Sequence, residues 1–341
     1  VSVSKKYKIL VAIPCRNELT YIEPCILSII QNNLSVDDLF IAVVDGMSDD
    51  GTRDVVKRLA DQFPCVHLID NPDKITPVAM NLGINAADSE YVMIMGAHST
   101  IDSDYIKVCI DFLTEEVELA GVGGTIQNSF YDKKSEWIGF AMSHRFGVGN
   151  AHFRTGGKEG YVDTIGTPVY KRDVLEKVGF FDENLIRNQD DELNFRLIKA
   201  GYRLKLTGRV KFYYVVRASW NKMYKQYRQY GYWKVYVNRK HKTITTLRQL
   251  VPAFFVGFLF LFPALILVSF CFLFVYFGIL ALWLFLAIFV SGSLKKCRAI
   301  VAAVLTFFLL HTGYGIGYWE GILNFLLLGR SPAISKRKLS R

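Results

Sequence analysis

The sequence predicts an α/β domain built on a three-layer, mainly parallel sheet and followed by a helical membrane segment. Three observations carry this reading. Short β-branched runs alternate with apolar-periodic stretches through the first hundred residues, the pattern of strands joined by crossover helices. Residues 251–290 contain no charged side chain, about twice the roughly 20 apolar residues that one membrane span needs. Between these regions, residues 217–242 hold eight basic residues and seven Trp or Tyr with no acid. The expected organisation is a soluble domain over 1–215, basic aromatic membrane-interface helices over 216–250, transmembrane or re-entrant helices over 251–328, and a basic tail over 329–341.

In order, residues 8–14 read as a strand, 15–18 as a loop and the stretch to Ile30 as a helix. Residues 40–44 form a second strand ending in Asp45, and Gly46-Met-Ser-Asp-Asp-Gly-Thr52 turns the chain into a helix that runs to about Gln62. A third strand (66–69), a turn at Asn71-Pro-Asp-Lys74, a helix (78–87) and a fourth strand (91–95) follow. Ligands of such sheets bind outside the carboxyl ends of the strands, which selects the loops 14–18, 45–52 and 96–100. None of them carries GxGxxG or GxxxxGK[ST], so dinucleotide and P-loop chemistry are disfavoured. Asp45 either caps the next helix or accepts hydrogen bonds from a nucleobase or ribose.

Residues 121–182 are irregular and glycine-rich, with 162–170 recognisable as a strand. His144, Arg145, His152 and Arg154 sit in a loop that either closes over a donor phosphate or is a surface loop with incidental charges. Beyond it, Leu193, Leu197 and Ala200 recur at helical spacing before Gly201, so Asp190, Asp191 and Glu192 crowd a helix start. They can complement the helix dipole, with Asn188 capping and Glu192 pairing with Arg196. Successive side chains turn by about 100°, so the three cannot all face one pocket.

The composition joins 51% hydrophobic residues to a formal net charge of +10. Basic residues interleaved with Trp and Tyr suit either nucleic acid or an anionic membrane surface. The adjoining uncharged run decides for membrane lipids and against nucleic acid. That run reads as a two-helix hairpin turning near 274–278, followed by a third apolar stretch over 299–328 that is re-entrant or interfacial if the tail residues Lys336, Arg337, Lys338 and Arg341 stay cytoplasmic. His311 and Glu320 within that stretch are either paired in a bundle interior or placed at headgroup level. Six cysteines without CxxC or zinc spacing are expected to be reduced and buried, which suits a cytosolic face, and no signal peptide is expected at the start of the chain.

Several blocks occur in a particular order: Ile13-Pro-Cys-Arg-Asn-Glu18, Val44-Asp-Gly-Met-Ser-Asp-Asp-Gly-Thr52, Asn71-Pro72, Ala79-Met-Asn-Leu-Gly83, and Gln189-Asp-Asp-Glu-Leu193 with Arg196-Leu197 and Ala200-Gly-Tyr202. Together they resemble the family 2 glycosyltransferases of GT-A fold, over about residues 8–206. Residues 225–234, Lys-Gln-Tyr-Arg-Gln-Tyr-Gly-Tyr-Trp-Lys, and His311-Thr-Gly-Tyr-Gly-Ile-Gly317 are similar to the membrane-bound branch of succinoglycan-type exopolysaccharide glucosyltransferases. The resemblance implies inverting transfer from a nucleotide-diphosphate sugar with Mg²⁺ or Mn²⁺. Carried over residue by residue, Pro14, Asn17, Glu18 and Asp45 line the nucleoside pocket and Asp190 is the general base.

Two positions depart from the family pattern. Gly96-Ala97-His98 stands where Asp-x-Asp is usual, and Met80 where many members have arginine. Related branches read Asp-Ala-His, so His98 is either a metal ligand or a neutral hydrogen-bonding residue, and imidazole favours Mn²⁺ over Mg²⁺. Lys74 either supplies the phosphate-facing charge that Met80 lacks or is merely solvated. The expected function is transfer of a sugar, from a UDP-linked donor, to a lipid-linked acceptor at the cytoplasmic membrane face. Gln226, Arg228 and Trp233 of the basic aromatic segment are the expected acceptor contacts. The alternative is a non-catalytic membrane component that keeps the fold within a polysaccharide assembly complex.

Overall fold

The computed structural model describes residues 5–156, 159–216 and 219–332. Arg217 of the basic stretch and Lys336, Arg337, Lys338 and Arg341 of the tail lie outside them. In chain order the elements are β1 (Tyr7–Cys15), α1 (Ile22–Ile30), β2 (Leu39–Asp45), α2 (Thr52–Gln62), β3 (Val66–Asp70), α3 (Thr76–Ile84), β4 (Ser89–Ile94), β5 (Ser99–Ile101), α4 (Tyr105–Glu115) and β6 (Leu119–Ser129). There follow α5 (Lys133–Ser143), α6 (Arg145–Val148), α7 (His152–Thr155), β7 (Gly160–Val162), β8 (Val169–Lys171), α8 (Arg172–Val178), α9 (Gln189–Lys199) and β9 (Arg203–Val215). The C-terminal part contains α10 (Trp220–His241), α11 (Val251–Leu261), α12 (Cys271–Ser291) and α13 (Cys297–Gly321). These elements form two compact units: the chain through Asn128 with His152–Val215, and Ser129–Ala151 with the chain from Val216 onward.

In the first unit the sheet runs β3-β2-β1-β4-β8-β6-β9-β5, with β7 on β9. Strands β1 to β4 are mutually parallel, whereas β8 joins β4 antiparallel. The order reverses beside β1, which opens a crevice at the carboxyl ends of β1, β2 and β4. Ile9 to Ile13 are fully buried, as a parallel strand covered on both faces requires. Their side chains alternate between two cores: Ile9, Val11 and Ile13 pack with α1, α2 and α4, while Leu10 and Ala12 pack with α3, α8 and α9. Gly83 lets α3 approach, because a Cβ there would lie 2.7 Å from the Ala12 Cβ.

Two expectations for the middle of the chain are corrected. Residues 121–182 are not irregular: β6 is an eleven-residue strand, His144 caps α6 and Arg145 opens it in the second unit, and His152 and Arg154 belong to α7 of the first. The expected strand over 162–170 is two short strands, β7 and β8. Thr167 interrupts it with a left-handed backbone (φ 46°), an unusual conformation for a β-branched residue. The Tyr105 hydroxyl lies 2.9 Å from the Thr167 carbonyl and accepts the Gly124 N–H at 2.8 Å, so a fully buried side chain holds this turn.

The second unit is organised around α13. On one side Gly313, Gly317 and Gly321 meet α10, and a Cβ on Gly317 would fall 1.9 Å from the Arg228 carbonyl. On another, Gly315 meets Pro252 and Val256 of α11. Small residues every fourth position bring helix backbones together, which gives the His311–Gly317 block its physical reason. Helix α10 is therefore no simple surface helix: Tyr227, Gly231, Trp233 and Val235 are buried. Among the described residues, three helical stretches are long and apolar enough to cross a membrane: Leu247–Leu267, Cys271–Leu294 and Cys297–Leu327.

The break between the first two lies at residues 268–270, not at 274–278. Pro263 starts a 3-10 segment, Phe262–Leu267, that tightens and ends α11, while Gly278 sits inside α12 facing open space. His311 and Glu320 are both paired. Trp283 Nε1 donates to His311 Nδ1 at 3.2 Å, His311 Nε2 lies 2.7 Å from the Phe146 carbonyl, and Glu320 binds Arg228 through two nitrogens. Four cysteines are buried, but Cys271 and Cys297, at the starts of apolar helices, are exposed.

Candidate active site

The loops after β1 and β2 are clipped together. Asn17, with φ 54°, donates its backbone N–H to Ser48 Oγ at 2.8 Å, and its amide exchanges hydrogen bonds with the side chain (2.9 Å) and backbone N–H (3.1 Å) of Asp49. Glu18 N–H donates to Thr52 Oγ1 at 2.9 Å, and Leu19 N–H to Asp50 Oδ2 at 3.2 Å. The spacing Asp-x-x-Ser-x-Asp-Gly-Thr is thus a cross-loop brace, with Gly51 supplying the left-handed turn (φ 95°) before α2. Pro14 pairs with Val44 at the edge of this brace.

Asp45 is fully buried and well satisfied. Its carboxylate accepts the Ser48 N–H (2.9 Å) and hydroxyl, and Arg53 Nη1 at 2.8 Å. Arg53 also reaches Asp70 at 2.7 Å, tying the ends of β2 and β3. Sequence reasoning missed Arg53; its one signal was a lone cation in the first turn of the helix after Asp45. Lys74 is exposed on the turn after β3, with φ 59°. Met80 packs in the core below, so no charge replaces the family's arginine there.

After β4, His98 sits among Tyr21 and Tyr214, with edge-on ring contacts at 6.5 and 5.1 Å. Its Nδ1 is buried without a hydrogen-bond partner, 3.7 Å from Glu18 Oε1. Among the described residues no third His, Cys, Asp or Glu completes a cluster. One imidazole nitrogen and one carboxylate fit a divalent cation that takes its remaining ligands from a diphosphate. Gly96 leaves room beside them: an added Cβ would meet only Ser99 Oγ at 3.7 Å and His98 Cε1 at 3.9 Å.

Helix α9 is approached by a rigid loop. Asn81 Nδ2 donates to the Phe181 carbonyl and to Glu183, both at 2.9 Å, and its oxygen accepts the Phe181 N–H at 3.1 Å. Arg196 donates to the carbonyls of Val178, Gly179 and Phe180 at 2.6–2.8 Å and to both oxygens of fully buried Glu192 at 3.0 Å. The expected Glu192–Arg196 pair is present. The expected cap is not: Asn188 adopts a left-handed conformation (φ 61°) and makes no side-chain capping bond. Asp190 is the acid left open. Its side chain is reached by solvent from within a crowded recess, and that burial, with Asp191 beside it, raises its pKa above the usual aspartate value, while Arg154 pulls the other way. Tyr170, whose hydroxyl donates to Asn194 at 2.9 Å, lies within charge range of Asp190.

The donor-side residues and Asp190 thus belong to the first unit, and the expected acceptor contacts to the second. There Gln226 donates to Tyr230 at 2.7 Å, Arg228 is paired with Glu320, and Trp233 is 3% exposed among Tyr232, Tyr236 and Phe325.

Comparison with known proteins agrees with this architecture. Residues 10–179 match Glycosyl transferase family 2. The chain is 30% identical over 248 residues to the succinoglycan biosynthesis protein ExoA of Rhizobium meliloti (strain 1021), covering 71% of this chain and 74% of that one. It is 28% identical over 326 residues to the dolichyl N-acetyl-alpha-D-glucosaminyl phosphate 3-beta-D-2,3-diacetamido-2,3-dideoxy-beta-D-glucuronosyltransferase of Methanococcus voltae, covering 92% and 97%. A solved structure of the mannosyltransferase PcManGT from Pyrobaculum calidifontis, in complex with GDP-Man and Mn²⁺, superposes with a TM-score of 0.62 at 16% identity over 93% of this chain and 88% of that one, a likeness of fold. The chain belongs to glycosyl transferase family 2 and is a glycosyltransferase of GT-A fold with C-terminal apolar helices.

Proposed function

We propose that this enzyme transfers a sugar, with inversion, from a UDP-linked donor to a lipid-linked acceptor during polysaccharide synthesis at the cytoplasmic membrane face. The observation that carries the reading is Asp190: a solvent-open aspartate whose surroundings raise its pKa, on a helix whose approach is held by Asn81 and Arg196. The acceptor hydroxyl attacks the anomeric carbon from the face opposite the diphosphate. Asp190 takes the hydroxyl proton as the new C–O bond forms, and the bond to the diphosphate breaks with its electron pair leaving on the nucleotide. Asn17, Glu18 and Asp45, braced by Ser48 and Arg53, hold the nucleoside with Pro14 at the edge, and Lys74 faces the phosphates. His98 and Glu18 would hold a divalent cation, Mn²⁺ before Mg²⁺, which would neutralise charge on the departing diphosphate.

The relatives support the acceptor class. One is named for succinoglycan biosynthesis, and the other acts on a dolichyl-linked saccharide phosphate, from which we carry a polyisoprenyl-phosphate acceptor to this chain. The three apolar helical stretches, read as membrane-spanning, support a lipid-linked acceptor. The test is incubation of purified full-length protein with a panel of nucleotide sugars, with and without Mn²⁺, following donor consumption and product anomeric configuration. UDP-sugar consumption with inversion is expected; consumption of no donor, or retention of configuration, overturns the reading.

A further inference from the structure

The second unit contains a groove between α11 and α13 that none of the roles assigned above uses. It has a volume of about 370 Å³ and is walled by Val256, Phe260 and Leu261 on one side and Ile316, Trp319 and Leu323 on the other. That size is within the roughly 300–1,000 Å³ of ligand pockets. The groove is a built feature. Trp319 is pinned by its indole N–H donating to the Ala253 carbonyl at 2.9 Å, and Gly257 keeps the floor open, since a Cβ there would press on the Trp319 ring at 3.1 Å. Phe260, Leu261 and Leu323 are 69%, 64% and 50% exposed, on stretches that, read as membrane-spanning, meet hydrocarbon.

One lining residue is charged, Glu320, and it is bound by Arg228 through Nε and Nη2. The two charges offset each other, and the Arg228 side chain stays 47% exposed beside the groove. Helix α10 adds exposed Lys222, Lys225, Arg239 and Lys240 to Arg228 and carries no acid. An apolar trough with a cation at its mouth is complementary to a hydrocarbon chain ending in phosphate. An apolar peptide segment, or a second copy of this chain, makes no use of that cation.

We propose that this groove seats the hydrocarbon chain of the polyisoprenyl-phosphate acceptor, with Arg228 taking the phosphate at its mouth. The proposal rests on the acceptor class put forward above. It turns Arg228 from a general acceptor contact into the headgroup residue and makes Glu320 the group that positions it.

The test uses the full-length protein in detergent or nanodiscs and a photoreactive polyisoprenyl phosphate, with peptide mapping of the labelled sites. Label is expected on α11 and on the C-terminal part of α13, and excess phosphatidylglycerol is expected not to displace it. Leu323→Trp and Leu261→Trp, which add bulk from opposite walls at exposed positions, each reduce labelling about tenfold while nucleotide binding stays intact. Arg228→Gln reduces labelling by polyisoprenyl phosphate about tenfold, the scale of a lost charge-assisted hydrogen bond, but not labelling by the uncharged polyisoprenol, a contrast that a merely loosened helix pair does not produce. Labelling elsewhere, equal displacement by phosphatidylglycerol, capture of a second protein chain at the groove, or labelling that the two Trp variants leave unchanged overturns the proposal. Specific labelling of the groove in a protein that transfers no sugar to this lipid supports the groove and counts against the transfer reading alone.

Discussion

Two aspartates of the first unit, Asp45 and Asp190, occupy opposite ends of what a carboxylate can be. Asp45 is sealed from solvent and receives Ser48 and Arg53, so its charge is already spent on the ends of β2 and β3. Asp190 is open to solvent, crowded by protein, and pushed toward the protonated form by burial and by Asp191. A carboxylate with its acceptor sites filled holds a loop in place and offers a nucleoside only its remaining lone pairs. One whose ionised form is disfavoured is ready to accept a proton. The difference is environmental, since both are aspartates, Asp45 at the end of β2 and Asp190 in the first turn of α9, and on the proposed reading it separates positioning from chemistry within one unit.

The comparison breaks most sharply at Asp190. Asp190→Asn keeps size and hydrogen bonding but cannot take a proton, so single-turnover transfer is expected to fall by about a hundredfold to ten-thousandfold with donor affinity nearly unchanged. The same substitution carries a sign on stability. A carboxyl whose folded-state pKa is raised binds more proton in the folded state between its ordinary and its raised pKa, so stability falls as pH rises through that window. Removing the charge is therefore expected to raise the thermal midpoint at neutral pH, a gain of stability with loss of activity. An active Asp190→Asn enzyme with an unchanged midpoint sinks both statements.

Asp45→Ala is the converse case. It strips Ser48 and Arg53 of their shared acceptor, and nucleotide affinity measured by calorimetry is expected to weaken by about 1–3 kcal/mol, with the chemical step on bound donor little affected. Unchanged affinity would reduce Asp45 to a brace. The smallest effect is expected at Gly96. A Cβ at Gly96 meets only ordinary contacts, and Gly96→Asp adds a carboxylate next to His98, so Mn²⁺ affinity, read by titration calorimetry on the nucleotide complex, is expected to rise modestly. His98→Ala is expected to abolish it, and a cation affinity indifferent to both substitutions removes His98 from the site.

How much of this was legible in the sequence depends on the distance over which each interaction acts. Strand runs such as 8–14 and 40–44 were readable because burial on both faces leaves a continuous apolar run, and Glu192–Arg196 because one helical turn brings the pair together. The Arg53 link to Asp45 and Asp70, the Asn81 clamp on the loop before α9 and the Tyr105 hold on Thr167 were not, because each joins elements far apart in sequence. Turn chemistry also misled. Residues 274–278 read as a turn, yet Pro263 ends the helix and 274–278 lie within the next one, and Asn188 read as a side-chain cap where the backbone itself turns left-handed. The glycines of α13 were recognised as a block, but only the partner helices α10 and α11 show which face each one serves.

The central claim, that Asp190 is the catalytic base and that the charge of Asp191 raises its pKa, is tested most directly by the pH dependence of kcat/KM in the wild type and in Asp191→Asn. The base must be ionised, so activity is expected to fall on the acid side at a pH above the ordinary aspartate range. Removing the neighbouring charge is expected to move that acid limb to lower pH while leaving the plateau nearly intact. An acid limb at the same pH in both proteins, or a plateau lost in Asp191→Asn, contradicts the assignment.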